Sequence, residues 1–300
     1  MSIGLWALFT VLAAGGQTLR NAMQRELTAT LGTVGATHVR FLFGLPFALL
    51  FLTGILLATG GRFPPLNANM LAWTAVGAAT QIAATAMLLA AMKQKSFVVT
   101  TALIKIEPVH VALFGLVFLG DALSWPLVIA ILVACTGVLI MSWPKEQLAG
   151  AASDGGMQPI LLGLAAGAMF GVSAIGYRGG ILALAHPNFV VAASTTLSVG
   201  LIMQTVALTA YLWLFERERL FDIFRAWRPS VVAGFMGAFA SQMWFLAFAL
   251  ESAAKVRTLA LVEIFFAQIV SRSMFKQGLA SREGLGIALI AIGVVILLNV

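Results

Sequence analysis

Apolar runs, each long enough to cross a lipid bilayer, follow one another along the chain with short polar breaks between them. A spanning helix needs roughly 20 mainly apolar residues. Ten runs meet that measure, at 3–20, 34–58, 70–91, 97–118, 123–142, 160–178, 189–214, 230–250, 256–275 and 282–299. The breaks carry turn residues or charge: Gly60-Gly61-Arg62 with Pro64-Pro65, Lys93 to Lys95, Gly120-Asp121, and His186-Pro187-Asn188. The pattern predicts an all-α, polytopic membrane protein of ten transmembrane helices.

Composition agrees with lipid as the solvent. Hydrophobic residues make up 61% of the chain and charged residues 10%, whereas a soluble domain carries about a quarter charged residues. The net charge of +7 does not point to nucleic acid, because the basic residues fall in short breaks and form no long tract. They suit cytoplasm-facing loops. Cys135 lies inside an apolar run and reads as core filling. No basic residue precedes the first run, so it reads as a retained helix and not as a signal peptide.

Two breaks are longer. Residues 144–159 are polar and rich in small residues, and they divide the chain into 1–143 and 160–300. Residues 216–228 place Leu220, Phe221, Ile223, Phe224 and Trp227 at helical spacing among charges. That suits either a helix lying in the membrane interface or a solvated loop.

The two halves resemble each other. Ala102-Leu103-Ile104-Lys105-Ile106-Glu107 parallels Thr258-Leu259-Ala260-Leu261-Val262-Glu263. Leu123-Ser124 and Gly137 follow the first glutamate in the same register as Leu279-Ala280 and Gly293 follow the second. Internal symmetry of this kind marks carriers built from repeats. Five crossings per half end on the opposite membrane face from where they begin, so the halves are expected to form an inverted repeat. Substrate sites in such folds lie near the midplane between repeats.

The stretch Glu107-Pro108-Val109, then Leu119-Gly120-Asp121-Ala122-Leu123-Ser124, then Gly137-Val138, with Arg40-Phe41 earlier, resembles the EamA repeat of the drug/metabolite transporter superfamily. The second copy departs from the pattern: Ile264 follows Glu263, and Lys276-Gln277-Gly278 replaces Gly120-Asp121. The resemblance implies two five-helix repeats and a secondary carrier, often an exporter of amino acids, aromatic ones among them. It also implies that Gly137 and Gly293 bring the last helix of each repeat together. A multidrug or nucleotide-sugar carrier and a non-transporting membrane scaffold remain the alternatives.

Charged groups within a bilayer default to functional candidates. Glu107 lies inside the fourth run, and Pro108 is expected to kink the backbone there, on a protein-facing side. Glu107 suits a substrate-ammonium site, a proton carrier or a structural carboxylate. Glu263 is its repeat mate. His110 shares a face with Glu107 and suits either proton coupling or a static hydrogen bond. Arg40 is a candidate for a substrate carboxylate or for interface anchoring. Gln81, Ser241, Gln242 and Trp244 suit either a cavity wall or contacts between helices. Gly163, Gly167 and Gly171 share one face of the sixth run, where close helix packing is expected. Tyr177 and Arg178 are expected to anchor its end at the interface.

The chain has no phosphate-cradling Gly-x4-Gly-Lys-Ser/Thr loop, no His-Glu-x-x-His and no Gly-x-Ser-x-Gly elbow. Neither an enzyme nor an ATP-driven pump is expected, and no cofactor or metal. The expected partners are a small-molecule substrate, the lipid bilayer and a coupling proton or ion, with one chain supplying both halves of a pathway as a monomer. Breaks after the odd-numbered runs hold more Lys and Arg, Arg20 and Arg25 among them, than those after the even-numbered runs, which hold Lys255 and Arg257. The bias places the termini outside the cytoplasm. The expected location is a bacterial inner membrane.

Overall fold

The computed structural model describes residues 3–94, 104–142, 158–265 and 281–299. Among them every regular element is helical. Five stretches are long and apolar enough to cross a membrane: Thr30–Thr59, Ala68–Leu88, Leu161–Ala183, Phe189–Phe215 and Trp227–Leu250. Glu107–Leu119, Trp125–Ile140 and Gly284–Leu298 are shorter apolar helices. The 144–157 stretch of the expected linker, Gln268 and the 276–280 segment of the second repeat lie outside the described residues.

Helix α1 (Ile3–Leu42) is two helices joined at Gly32, whose φ of 69° and ψ of −179° leave the helical region. Only glycine adopts such dihedrals readily. The first helix therefore does not stop near Arg20 as expected. Arg20 is buried within it, because neighbouring side chains and not solvent surround its charge. Helix α2 (Gly44–Thr59) follows after one turn residue, Phe43. Pro46 lacks the N–H that would bond the Leu42 carbonyl, which puts a one-residue turn at Phe43 inside the span expected at 34–58.

Helix α3 covers Ala68–Gln94. Helix α4 (Glu107–Phe114) continues into a π-helical turn, Gly115–Leu119. Pro108 stands in its first turn, where a missing N–H leaves no bond unmade. The Glu107-Pro108 pair thus opens a helix, after a turn at Lys105 and Ile106 that follows a helical Ile104, and residues 95–103 of the fourth run lie outside the described residues. Helix α5 spans Trp125–Ser142, and α6 spans Gln158–Ala183. Because α6 runs past 178, Tyr177 and Arg178 lie inside it and not at an interface end.

Helix α7 (Phe189–Phe215) starts on Asn188, whose side chain accepts from the Val190 and Val191 N–H groups. Helix α8 (Arg217–Arg225) decides the 216–228 segment in favour of a helix. It buries Leu220 and Ile223 and leaves Phe221 and Phe224 exposed. Helix α9 covers Trp227–Leu250. Helix α10 (Ala253–Leu259), capped by Ser252 and followed by a 3₁₀ turn at Ala260–Val262, holds Lys255 and Arg257, both expected in a loop. Helix α11 covers Ser281–Leu298.

The chain forms two compact units, and each draws on both of its halves. Unit one comprises Met1–Ile82 and Gly176–Glu251. In it α1 lies along α9, where a Cβ on Gly16 would meet Ala240 Cβ at 3.3 Å. Where α3 and α6 cross, a Cβ on Gly176 would come within 2.6 Å of the Gly77 nitrogen. Leu27, Leu31, Val39, Leu212, Leu220 and Ile223 form a core under α8. Unit two comprises Ala83–Ile175 and Ser252–Val300. Its tightest seam joins α5 and α11, where a Cβ on Gly137 would lie 2.7 Å from the Gly286 oxygen. A Cβ on Gly293 would lie 2.7 Å from Ala134 Cβ.

Candidate functional site

Unit two holds a cluster of opposite charges where α4 begins. Glu107 stands in the first turn of α4, where a helix N-terminus favours negative charge. Arg257, one turn into α10, reaches its carboxylate with Nε 3.2 Å from Oε1. Lys105, in the turn before α4, forms an ion pair with Glu263. The four side chains are between 12% and 17% exposed. Each pair joins one half of the chain to the other, so the two candidate glutamates belong to one charge cluster.

The surroundings are specific. Cys135 on α5 donates its Sγ–H to the Lys105 carbonyl at 3.6 Å. His110 lies within electrostatic reach of Glu107, and its ring stacks on Phe114 at 6.3 Å. His110 Nδ1 is buried with no hydrogen bond among the described residues. A Cβ on Gly171 would touch His110 Cβ at 3.2 Å, so the glycine face of α6 admits α4. Gly163 and Gly167 are buried on the same helix.

Unit one gathers most of the remaining candidates. Gln81 Oε1 accepts from the Tyr177 hydroxyl at 3.2 Å and from Gln204 Nε2 at 2.7 Å. The Tyr177 ring packs on Phe245 with centroids 4.7 Å apart. Trp244 Nε1 donates to Gln17 Oε1 at 3.2 Å. Gln242 Nε2 donates to Ser194 Oγ at 2.8 Å, while its Oε1 is buried without a hydrogen bond among the described residues. Ser241 is buried on the same helix. Arg40 is buried beside Gly237, next to Arg20.

Buried amides, hydroxyls and charges of this kind are held where water is scarce only if they are paired. In unit one the pairing runs through residues that the sequence does not mark as a site. Tyr177 anchors Gln81. Arg178 caps the end of α9, donating to the Phe248 carbonyl at 2.7 Å and to that of Glu251. His38 Nε2 and Thr209 Oγ1 stand 3.0 Å apart. Gln17 and Gln204 are polar residues inside apolar runs, a signal visible in the sequence. Arg20 and Arg257 carry no such signal, because charge at the edge of an apolar run reads as a loop.

Comparison with known proteins adds the family. A model of the EamA-like transporter family matches residues 1–143. No curated protein matches the chain. A crystal structure of a protein aligns with 98% of this chain and 96% of its own, at a TM-score of 0.71 and 13% identity, which shows a shared fold.

Proposed function

We propose, for a chain that belongs to the EamA-like transporter family of the drug/metabolite transporter superfamily through residues 1–143, that it is a secondary carrier exporting an amino acid by alternating access. The family's members move small molecules across membranes, and the amino-acid substrate is the finer step. In this proposal ten spans form two inverted five-helix repeats, 1–143 and 160–300, in a bacterial inner membrane. Gln81, Ser241, Gln242, Trp244 and Arg40 serve the substrate. Glu107, Glu263 and His110 serve coupling to a proton or ion, with Pro108 at the turn that hinges α4.

The observation that supports a carrier over a scaffold is the number of ionic and amide groups buried in apolar helices. Arg20, Arg40, Gln204 and Gln242 are all buried in unit one, and unit two adds two ion pairs. Such groups weaken a purely structural bundle, since apolar side chains of similar volume pack as well or better. They favour a wet, polar path.

The test is counterflow in proteoliposomes, with labelled amino acids offered one at a time. Saturable exchange of a neutral or aromatic amino acid supports the proposal. Folded protein that exchanges none of them removes the amino-acid substrate.

A further inference from the structure

Helix α8 joins two helices, Phe189–Phe215 before it and Trp227–Leu250 after it, each long and apolar enough to cross a membrane. Two spans joined by one short helix meet it on the same membrane face. Its nine residues rise about 14 Å, under half of a ~30 Å hydrocarbon core. A connection of this length lies at the boundary between lipid and water.

The residues of α8 divide into sectors around its axis. Leu220 and Ile223 are buried in the core that also holds Leu27 and Leu31. Beside them Arg217, Phe221 and Phe224 follow one another at intervals of four and three residues, which puts them on one face. All three are exposed. Next round the axis come Glu218, Asp222 and Arg225 at the same intervals, with Asp222 and Arg225 paired to each other. One arginine therefore stands between two phenylalanines, on a sector that is neither the core nor the charged face.

Arg217 is held in that place. Its Cζ lies 3.7 Å from the centroid of the Trp213 ring, in the last turn of α7. Stacking uses the flat face of a guanidinium and leaves its N–H edge open. The carboxylates nearest in sequence are engaged elsewhere, Glu216 with Arg219 and Asp222 with Arg225. At the far end of the connection Arg228 lies over Trp227, with Cζ 5.6 Å from the ring centroid. Trp213 and Trp227 are both exposed, and tryptophan favours the headgroup level of a bilayer.

We propose that this face of α8 binds an anionic phospholipid, with the phosphate on the N–H edge of Arg217 and the acyl chains along Phe221 and Phe224. A planar guanidinium fork fits two phosphate oxygens. The charge of the segment selects the headgroup. Residues 216–228 hold four arginines and three carboxylates, and two of each are paired within the helix. Among the described residues that leaves Arg217 and Arg228 against Glu218. A headgroup of net negative charge complements this better than a zwitterionic one. The exposed Leu214 and Phe215 at the end of α7 extend the apolar surface on which the chains would lie. The proposal does not depend on which solute the chain carries.

The test is native mass spectrometry of the full chain released from detergent. Phosphatidylglycerol and phosphatidylcholine of equal acyl length are offered together at less than one lipid per protein. Phosphatidylglycerol should be the lipid retained. Arg217→Gln should lower that preference about fivefold, the share that one basic side chain holds beside an anionic bilayer. Arg217→Lys keeps the charge without the fork and should fall between the two. Arg225→Gln, on the charged face, should match wild type. Glycerol 3-phosphate, a headgroup without chains, should not displace the lipid at equal concentration. Equal retention of the two lipids, displacement by glycerol phosphate, or an unchanged preference in Arg217→Gln overturns the proposal. If Arg217→Gln does not fold, a wild-type preference in Arg217→Lys overturns it instead. A dimer that Phe221→Ser dissociates would show a second copy of the chain on this face, and would also overturn it.

Discussion

Arg257 reaches Glu107 across the two halves of the chain, Nε to Oε1 at 3.2 Å, while Lys105 and Glu263 make the same kind of bond in the opposite sense. Each half therefore lends its glutamate to the other half's cation. Both partners of the first pair are nearly nine-tenths buried, so neither charge has much water to fall back on. Removing one member of a buried pair leaves its partner with less counter-charge, which costs up to about 3–5 kcal/mol. Removing both costs less.

Glu107→Gln and Arg257→Gln should thus each lower the unfolding midpoint in detergent more than the double variant does. The measurement is a double-mutant cycle on thermal unfolding. Losses that simply add would mean that the two side chains do not act as a pair. In counterflow, Glu107→Gln should be slow even where the protein is folded. A native rate there would remove the coupling role.

Much of this architecture was legible in the pattern of apolar runs. Helix α7 begins at Phe189, the residue where the run begins, and α11 lies within a residue of the run at 282–299. The misplaced elements share one physical cause. A charge at the edge of an apolar run is taken as solvated, yet Arg20 and Arg257 are sheltered by side chains far away in sequence. Glu107 was visible through the proline beside it. Its partner was not, since the repeat register sets Glu107 against Glu263 and Lys105 against Leu261, which hides the exchange of cations. The network of unit one was half visible: Gln81, Gln242 and Trp244 stand out as polar groups in apolar helices. Tyr177 joins them only because α6 continues past it.

The α5–α11 seam should be intolerant of any added side chain. A Cβ on Gly137 would lie 2.7 Å from the Gly286 oxygen and 2.9 Å from Leu289 Cβ, so backbone and not a flexible side chain would have to yield. Overpacking of this kind costs about 1–3 kcal/mol. Gly137→Val should lower the yield of folded protein and its unfolding midpoint. Gly4→Ala is the control, with nothing within 4 Å of the new methyl. Equal stability of the two variants would mean that the helices separate without loss.

Gln81 should matter more to stability than the hydroxyl it receives. Tyr177→Phe removes one donor and leaves Gln81 Oε1 still bonded to Gln204. A typical hydrogen bond contributes about 0.5–1.5 kcal/mol. Gln81→Met takes the acceptor from the Tyr177 hydroxyl and leaves Gln204 Nε2 only its longer bond to the Ala78 carbonyl at 3.4 Å, and a buried polar group left unmet costs about 1–3 kcal/mol. Thermal unfolding should rank wild type above Tyr177→Phe and Tyr177→Phe above Gln81→Met. The reverse order would show that water reaches these groups and replaces the lost bonds.

Gly32 combines two separate constraints, and two substitutions separate them. Its φ of 69° with ψ near 180° belongs to a region that costs other residues about 1–3 kcal/mol. A Cβ there would also collide with Arg219 Nη1. Arg219 pairs with Glu216 at the start of α8, and its guanidinium is the end of a flexible side chain. Gly32→Ala should destabilise through both effects. Gly32→Ala combined with Arg219→Ala should recover the steric part only and stay below Arg219→Ala alone by the backbone strain. If the double variant matches Arg219→Ala, the bend between the two parts of α1 tolerates an ordinary residue. The conformation at Gly32 would then be set by the arginine and not by the glycine's own freedom.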